Sequence, residues 1–377
     1  MNVNVTKGRS EDYADIIDFG NMVFGEDFRA IQPKLYEDRP HMAKEHHLVW
    51  EDGRIKAMVG SFPITLQVAG RTIPVRGIGT VSVHPYARSK GYMKLLMANA
   101  LQEAEQEGAA LMVLGGRRQR YEHFGFTKCG TSFCFSLDPV VRRQLKHIPS
   151  DEVQLLPLGD SKEYLRDCVQ LWESQPMAAV RRPENFCVTL QTGASTGYVI
   201  LLRGEFAGFC SMHKGDKNGY VSELFLTEYS FSANVAMKLC EEMAMPFSVF
   251  AFPHQTGLIH ALNLIAESAS CSSSPSFNVL DYPRVIEAFL TLKGMRVPLT
   301  DGRLVLEVTE KGRYAIEVQQ GKVTVTETGD KPLIALPHLQ MMCWLFSPLG
   351  QAGGQVQTPE TRSWLPIPLY LPGCDDV

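Results

Sequence analysis

The pattern of apolar and polar residues divides the chain into three stretches. In the first, which runs to about residue 145, apolar residues recur at i, i+3, i+4 and i+7 from Met93 to Ala104, and Gly108 follows them. This spacing predicts a helix with one buried face and a glycine stop. Another helix is predicted over 12–24. Short runs of apolar or alternating residues between turns predict strands at 47–50, 56–67, 79–83, 109–114 and 127–137.

The second stretch, roughly 150–278, repeats this order of elements. Two strands flank a turn at Arg203-Gly204, a second turn lies at 215–219, and a strand, a helix and another strand follow. The link between that strand and the helix, residues 227–230, contains no glycine, no cation and one acid, so it is expected to repel an anion. The predicted elements are strands at 198–202, 206–213, 220–226 and 247–252 and a helix at 231–243.

The third stretch begins after a serine-rich segment, 269–276, which is typical of a linker. Asp281-Tyr282-Pro283 predicts the start of a helix over 284–292. Alternating apolar and polar residues from 303 to 325 then predict an antiparallel meander with one dry face, and a further helix is expected over 336–346.

Composition limits the class of protein. The 377 residues are 45% hydrophobic and 21% charged, with a net charge of −4, so no overall basic field attracts nucleic acid. Nine cysteines are scattered without a C-x-x-C pair, which favours reduced core residues over disulfides or a zinc site. No apolar run is long enough to span a bilayer and the start lacks a signal-peptide core, so we expect a cytoplasmic protein without a membrane partner or bound metal.

The segment 79–93 carries the clearest chemistry. A β-branched strand, Val81-Ser82-Val83, leads through Pro85 into a basic loop with Gly91, and the helix follows directly. The free N–H groups and dipole of a helix start, with Arg88 and Lys90 nearby, predict an anion site. Gly91 has no Cβ, so the backbone can approach the anion closely, as a diphosphate would require.

These residues resemble the GNAT N-acetyltransferases. Arg88-Ser89-Lys90-Gly91-Tyr92-Met93 is similar to the family's Arg/Gln-x-x-Gly-x-Gly/Ala loop, with Met93 in place of the usual small residue, and 121–126 resembles its Y-x-x-F-G-F segment. The resemblance implies acetyl-CoA as donor and Tyr121 as general acid, with His123 as the rival. It implies that a backbone N–H of the strand polarises the thioester. The implied cofactor-binding residues are Val81, Ser82, Val83, Arg88, Ser89, Lys90, Gly91, Tyr92 and Met93.

The three-part layout resembles the enhanced intracellular survival branch of that family. This implies a mixed α+β fold in which an acetyl-CoA-binding GNAT domain (1–148) precedes a degenerate GNAT-like domain (149–278) and a sterol-carrier-protein-like domain (279–377). It also implies assembly into dimers or hexamers.

In that branch the carboxylate at the chain end serves as general base, which here would be Val377. The apolar, proline-rich stretch 363–373 favours a stiff extended arm that could deliver it, although Asp375 or Asp376 could substitute. The basic turn at 117–120 is either solvated or contacts the 3′-phosphate side of CoA. We therefore expect direct acetyl transfer to a small-molecule amine such as a polyamine or aminoglycoside. The alternatives are transfer to a protein lysine and a non-catalytic protein that binds an apolar ligand or acts as a sensor.

Overall fold

The protein was analysed as a computed structural model that describes residues 3–141, 145, 147–216, 218–350 and 356–377. Lys217 of the predicted turn at 215–219 lies outside the described residues. Two compact units share the chain. The first contains the residues up to Gly130, Ser273–Leu369 and Asp376–Val377, and the second contains Thr131–Ser272 and Tyr370–Asp375.

The strands follow the alternating apolar runs of the sequence. In chain order they are β1 (Val3–Lys7), β2 (His46–Glu51), β3 (Arg54–Val68), β4 (Arg71–Val83), β5 (Leu111–Leu114), β6 (Thr127–Lys128), β7 (Ser132–Leu137), β8 (Val153–Pro157), β9 (Met177–Ala179), β10 (Thr196–Leu202), β11 (Glu205–Lys214), β12 (Gly219–Leu226), β13 (Phe247–Ala251), β14 (Ser268–Ser272), β15 (Ser276–Val279), β16 (Gly302–Val308), β17 (Gly312–Gln319), β18 (Lys322–Glu327) and β19 (Ile334–Leu336).

The helices occupy the segments with 3.6-residue periodicity and several short connections. They are α1 (Tyr13–Phe24), α2 (Phe28–Ile31), α3 (Pro33–Tyr36), α4 (Tyr92–Gln106), α5 (Arg118–Tyr121), α6 (Leu165–Glu173), α7 (Pro183–Thr189), α8 (Ser232–Met243), α9 (Thr256–Asn263), α10 (Tyr282–Gly294), α11 (His338–Phe346) and α12 (Pro359–Trp364). Short 3₁₀ helices lie at Ser10–Asp12, Pro40–Glu45, Pro85–Ala87, Glu122–Phe124, Lys162–Tyr164, Tyr229–Phe231 and Gly373–Asp375.

The main sheet of the first unit pairs its strands in the order β1-β2-β3-β4-β5-β15-β6. Its ladders are antiparallel except that β4 runs parallel to β5, and α4 forms the crossover between these two strands. The predicted apolar face of α4 is the buried one, because Leu96, Met97, Ala100 and Ala104 are inaccessible to solvent. This packing holds the N-terminus of α4 at the end of β4.

The same unit contains a second sheet, in the order β18-β17-β16-β19. The predicted meander forms β16, β17 and β18, and β19 adds a parallel strand that the sequence did not indicate. Helix α10 contacts β18 with a face that includes the buried Val285, Ile286 and Phe289. Its predicted start is confirmed, since the Asp281 side chain accepts a hydrogen bond from the N–H of Arg284.

The sheet of the second unit has the order β14-β7-β13-β12-β11-β10-β8. Strands β10, β11 and β12 are antiparallel, and α8 connects β12 to the parallel strand β13. This order matches β2, β3, β4, α4 and β5 of the first unit, as the sequence predicted. The structure therefore has the expected mixed α+β fold, with three sheets.

Two predictions at the boundary between the units were wrong. The segment 127–137 was expected to be one strand, but it forms β6 in the first sheet and β7 in the second. The expected linker 269–276 forms β14 in the second sheet and the start of β15 in the first. Gly130 lies in the break between β6 and β7, where a Cβ would come within 2.8 Å of the Ser274 oxygen, so close backbone approach ends the first strand there.

Candidate functional site

The site begins at a bulge in β4. Gly60 of β3 pairs with Gly79 and Met58 with Ser82, so one residue of β3 faces two of β4, and Thr80 has a φ of +48°. The parallel pairing with β5 covers Val75–Ile78 and ends there. β5 itself ends at Leu114, opposite Ile78, and β4 continues past it through 81–83. The assignment of a backbone N–H of this segment to the thioester stays a prediction.

The loop after β4 turns the chain directly into α4. A 3₁₀ turn at Pro85–Ala87 follows the strand, and Ser89 and Gly91 both adopt left-handed backbone conformations, with φ of +67° and +78°. Gly91 is the N-cap of α4. The first N–H groups of the helix therefore face the loop, where they carry the positive end of the helix dipole. The loop thus has the backbone geometry that the predicted anion site requires, and anion binding there stays a prediction.

The loop borders a cavity of about 1080 Å³ in the first unit. Its walls come from the end of β4, the loop, the first turn of α4, the end of α1 and the turn after α5. The lining residues are Val23, Phe24, Val81, Ser82, Val83, Ala87, Arg88, Ser89, Gly91, Tyr92, Met93, Lys94, Arg120, His123 and Phe124. The structure thus brings eight of the nine predicted cofactor-binding residues to one cavity.

Lys90 is the ninth, and it does not line this cavity. Its Nζ donates to both carboxylate oxygens of Glu51 at 2.7 and 2.9 Å, and it borders a separate depression with Arg54 and Lys56. The hydrogen bond from Lys90 lowers the pKa of Glu51, and the same bond raises the pKa of Lys90. The expected pair of loop cations is therefore reduced to Arg88 on this side.

Two other cationic side chains, those of Lys94 and Arg120, line the cavity with Arg88. Lys94 lies in the first turn of α4, and Arg120 lies in α5. The sequence left the role of the basic turn 117–120 open, and the structure separates its members. Arg120 faces the cavity, whereas the Arg118 side chain forms an ion pair with Glu122. The sequence contains no pattern that would have singled out Lys94 as a cavity residue, apart from its position three residues after Gly91.

Tyr121 ends α5, and its side chain is buried. The residue is 6% exposed, and a Cβ on Gly116 would come within 2.6 Å of its ring. Burial raises the pKa of Tyr121, and the neighbouring Arg120 side chain opposes that shift. Tyr121 is not among the described residues that line the cavity, but His123 and Phe124 of the same turn line it. The turn therefore places the predicted acid just behind the cavity wall.

Val377 lies against the first unit's sheet at two glycines of β4. A Cβ on Gly79 would be 2.9 Å from the carbonyl carbon of Val377, and one on Gly77 would be 2.6 Å from its Cγ2. The Val377 side chain packs on the cluster that contains Tyr36 and Phe62. Sequence reasoning named Val377 but missed the glycines, although two glycines at alternate positions of a strand are a signal for close approach.

The other two candidate carboxylates differ in their surroundings. Asp376 precedes Val377, and burial raises the pKa of its side chain. Lys34 donates to the main-chain oxygen of Asp376. Asp375 belongs to the second unit, where its oxygens accept from Nε and Nη2 of Arg181 at 3.2 and 2.7 Å. Asp375 is thus committed to an ion pair.

Comparison with known proteins agrees with this geometry. Residues 4–129 match the acetyltransferase (GNAT) domain family. The match includes β1 to β5, α4 and the 121–126 turn. The first unit therefore carries a GNAT acetyltransferase domain, for which acetyl-CoA is the implied donor. Comparison with curated protein sequences finds no match.

Solved structures resemble the chain over nearly its whole length. A GCN5-related N-acetyltransferase from Kribbella flavida has a TM-score of 0.69 at 17% identity and covers 97% of this chain and 95% of its own. A probable N-acyltransferase from Enterococcus faecalis has a TM-score of 0.69 at 15% identity, with coverages of 98% and 97%. Eis1 from Mycobacterium abscessus has a TM-score of 0.61 at 15% identity, with coverages of 99% and 98%. At these identities the likeness shows the fold.

The described residues lack a membrane-spanning helix and a metal-binding cluster. In those ranges no helix combines the length and apolar character needed to cross a membrane. Nor do the described residues contain a group of three His, Cys, Asp or Glu side chains arranged to hold a metal ion.

Proposed function

We propose that the protein transfers the acetyl group of acetyl-CoA directly to the amine of a small molecule, with both substrates bound together. The observation that carries this proposal is the loop from β4 to α4. It combines left-handed residues at Ser89 and Gly91, a helix N-terminus and Arg88 at the mouth of one cavity.

The residues of the cavity fit the charges of the donor. Backbone N–H groups at the start of α4 suit a diphosphate, and Arg88, Lys94 and Arg120 supply positive charge around it. The end of β4 beyond β5, residues 81–83, offers main-chain groups to the extended arm of acetyl-CoA that carries the thioester. Acetyl-CoA supplies the acetyl group in activated form.

The chain's own residues then manage two protons. The attacking amine must lose one, because a free alkylammonium has a pKa of about 10.4 and only the neutral amine is a nucleophile. We assign this proton to the carboxylate of Val377, which lies against Gly79 one residue before the bulge. The departing sulfur gains a proton, which we assign to the hydroxyl of Tyr121. A phenol is protonated at neutral pH, burial raises the pKa of Tyr121 further, and solvent later restores its proton.

The test compares the two cations of the loop. Arg88→Met should weaken acetyl-CoA binding by about tenfold to a hundredfold, the effect expected for one charge-assisted hydrogen bond. Lys90→Met is the matched control, and its affinity should stay close to wild type because Lys90 is paired with Glu51 outside the cavity. Titration calorimetry measures both values, and thiol release from acetyl-CoA over a panel of amines measures turnover.

Equal affinity for acetyl-CoA in wild type and Arg88→Met would refute the donor assignment. Normal binding without thiol release on polyamines, aminoglycosides, amino acids or lysine peptides would refute the enzymatic assignment and favour a binding protein.

A further inference from the structure

The turn that carries Tyr121 is held from behind by residues far away in the sequence. His338, at the start of α11, has its Nε2 3.2 Å from the carbonyl oxygen of Gly125. Asn278, in β15, donates from Nδ2 to the carbonyl oxygen of Phe124 at 3.1 Å. Two successive carbonyls of the turn are therefore fixed by side chains from beyond residue 276.

These contacts determine the protonation of His338. Its Nε2 faces two acceptors, the Gly125 oxygen and Asn278 Oδ1 at 3.0 Å, so Nε2 must carry the hydrogen. Its Nδ1 is then an acceptor and receives the hydroxyl of Tyr282 at 2.9 Å. Burial lowers the pKa of His338 to about 4, so the ring stays neutral at physiological pH. Every polar atom of the ring has a defined partner, which makes the arrangement rigid.

The turn is built to accept this support. Gly125 has a φ of +83°, and a Cβ there would lie 2.9 Å from Asn278 Nδ2, so only glycine allows both the turn and the contact. The turn is closed by hydrogen bonds from the N–H of Gly125 to the Glu122 oxygen at 3.0 Å and from the N–H of Phe126 to the Tyr121 oxygen at 3.3 Å. A shift at 124–125 therefore reaches Tyr121 through the backbone.

We infer that Asn278, Tyr282 and His338 are positioning residues for the acetyl-transfer site. They hold the turn so that Tyr121 stays behind the cavity wall and Phe124 stays in it. This inference rests on the proposed function, because it gives the network a catalytic purpose. It also assigns the third stretch of the chain a role in acetyl transfer, in place of the apolar-ligand role that its resemblance to sterol carriers implied.

The hydrogen bonds of the network reach the backbone at 124 and 125 and not the anion loop, although Tyr121 packs in the same cluster as the buried face of α4. The loop is fixed by β4 and α4, and α4 packs through its own buried face. Loss of the network should therefore reduce kcat and leave the affinity for acetyl-CoA nearly unchanged. A general loss of stability would instead impair both.

The test uses graded substitutions at His338 with a matched control. His338→Leu removes the contacts of the ring with Gly125, Asn278 and Tyr282, His338→Gln can still donate to the Gly125 oxygen, and Tyr282→Phe removes one hydroxyl. Trp364→Phe removes another hydrogen bond of the third stretch, from Nε1 to the Thr300 oxygen at 2.9 Å, and does not touch the turn. The readouts are kcat and KM in the thiol-release assay, acetyl-CoA affinity by calorimetry, and amide hydrogen exchange of a peptide covering 117–128.

We expect His338→Leu to lower kcat by about tenfold to a hundredfold, the effect of a small misplacement of a catalytic group. Hydrogen exchange in 117–128 should be faster, and acetyl-CoA affinity should stay near wild type. His338→Gln should recover most of both losses, and Trp364→Phe should resemble wild type. If His338→Leu does not fold, Tyr282→Phe takes its place, with a smaller loss in the same direction.

Wild-type kcat and wild-type exchange in a folded His338→Leu or Tyr282→Phe variant would overturn the inference. An equal loss in Trp364→Phe would do so too, since it would indicate a general effect of the third stretch. If wild-type protein releases no thiol from acetyl-CoA with any amine, the proposed function fails. The hydrogen exchange of 117–128 then still decides whether the network holds the turn.

Discussion

Tyr121 lies against the backbone of Gly116, and its buried hydroxyl has one clear consequence for pH dependence. Burial raises the pKa of Tyr121 above its usual value near 10, so the phenol keeps its proton throughout the neutral and mildly alkaline range. A phenol is already protonated at neutral pH, so the shift extends protonation on the alkaline side and does not by itself make Tyr121 a stronger proton donor.

The substitution Tyr121→Phe should therefore lower kcat by about 10²-fold to 10⁴-fold, the usual contribution of a general acid. Acetyl-CoA affinity should largely persist, because the substitution removes one hydroxyl and leaves the ring that packs in the cluster with Val83, Tyr92 and Met93. Thiol-release kinetics from pH 6 to about 9 measure the effect, and wild-type kcat should not fall across this range through loss of the Tyr121 proton, because burial raises its pKa.

His123→Gln is the matched control for Tyr121→Phe, since both residues belong to the same turn. It should retain most of the wild-type kcat. A large loss in His123→Gln together with normal turnover in Tyr121→Phe would transfer the acid role to the histidine.

At the scale of elements, β4 combines two features within a few residues. Before the bulge, Gly77 and Gly79 leave room on one face of the strand, and Val377 fills it. After the bulge, the strand continues past the end of β5 and leads into the loop before α4. The strand thus places Val377 close to the loop that we propose for the donor. The two glycines are required there by steric contact, as neither has a left-handed φ.

Gly79→Ala should displace Val377, because the new Cβ would lie within 3 Å of its carbonyl carbon. We expect kcat to fall by about tenfold or more with little change in acetyl-CoA affinity, as for other small displacements of a catalytic group. Gly329→Ala is the control, since a Cβ there meets nothing within 4 Å. Turnover and calorimetry on both variants decide the matter, and unchanged kcat in Gly79→Ala would remove Val377 from the mechanism.

The elements show which parts of the structure the sequence could predict. The loop, α4 and the start of α10 were predicted correctly, because their signals are local: a glycine N-cap region, a 3.6-residue period and an Asp-x-Pro start. The place of β7 in the second sheet was not predicted, because the pattern of a strand does not show where it pairs, and β15 was not predicted as a strand because it begins in the serine-rich segment interpreted as a linker. Pairing partners far apart in the chain leave no mark in a short window of sequence.

The same limit applies to the site. The ion pair that removes Lys90 from the cavity depends on Glu51 in β2, 39 residues away. The contact of Val377 with Gly79 and that of His338 with Gly125 join residues more than 200 positions apart. Residue types suggested the chemistry at each position, but only the fold could show which of them meet.

At the scale of the whole molecule, the second unit has the same strand order as the first. It also has a bulge at the corresponding position, but different residues lie beside it. In β12 the pairing with β11 shifts between Ser211 and Met212, which places a bulge at Ser222. Cys374 of the chain's last segment lies beside it, and its N–H donates to Glu223 Oε1 at 3.1 Å. The link from β12 to α8 contains Glu228 and lacks glycine, so this unit lacks the backbone anion site of the first.

A buried ion cluster holds the last segment in the second unit. Both Glu223 oxygens accept from Arg181, at 2.6 and 2.9 Å, and Asp375 accepts from the same guanidinium. The Arg181 side chain is 2% exposed, that of Glu223 is inaccessible, and Arg181 also stacks 3.7 Å from the ring of Trp172. One guanidinium thus pairs with two buried carboxylates, and the three side chains together carry a formal excess of negative charge.

This imbalance predicts different effects for the members of the cluster. Arg181→Met leaves Glu223 and Asp375 buried without a counter-ion, and it should lower the free energy of unfolding of the second unit by about 3–5 kcal/mol. Asp375→Asn should cost much less, because it removes the excess charge and leaves the bidentate Arg181–Glu223 pair intact. Amide hydrogen exchange of peptides from β12 under native conditions reports the local stability in each variant. The double variant Arg181→Met/Glu223→Gln should be less unstable than the sum of the single ones, since each carboxylate removed lessens the unpaired charge. Additive effects would show that the three side chains pack together without acting as an ion cluster.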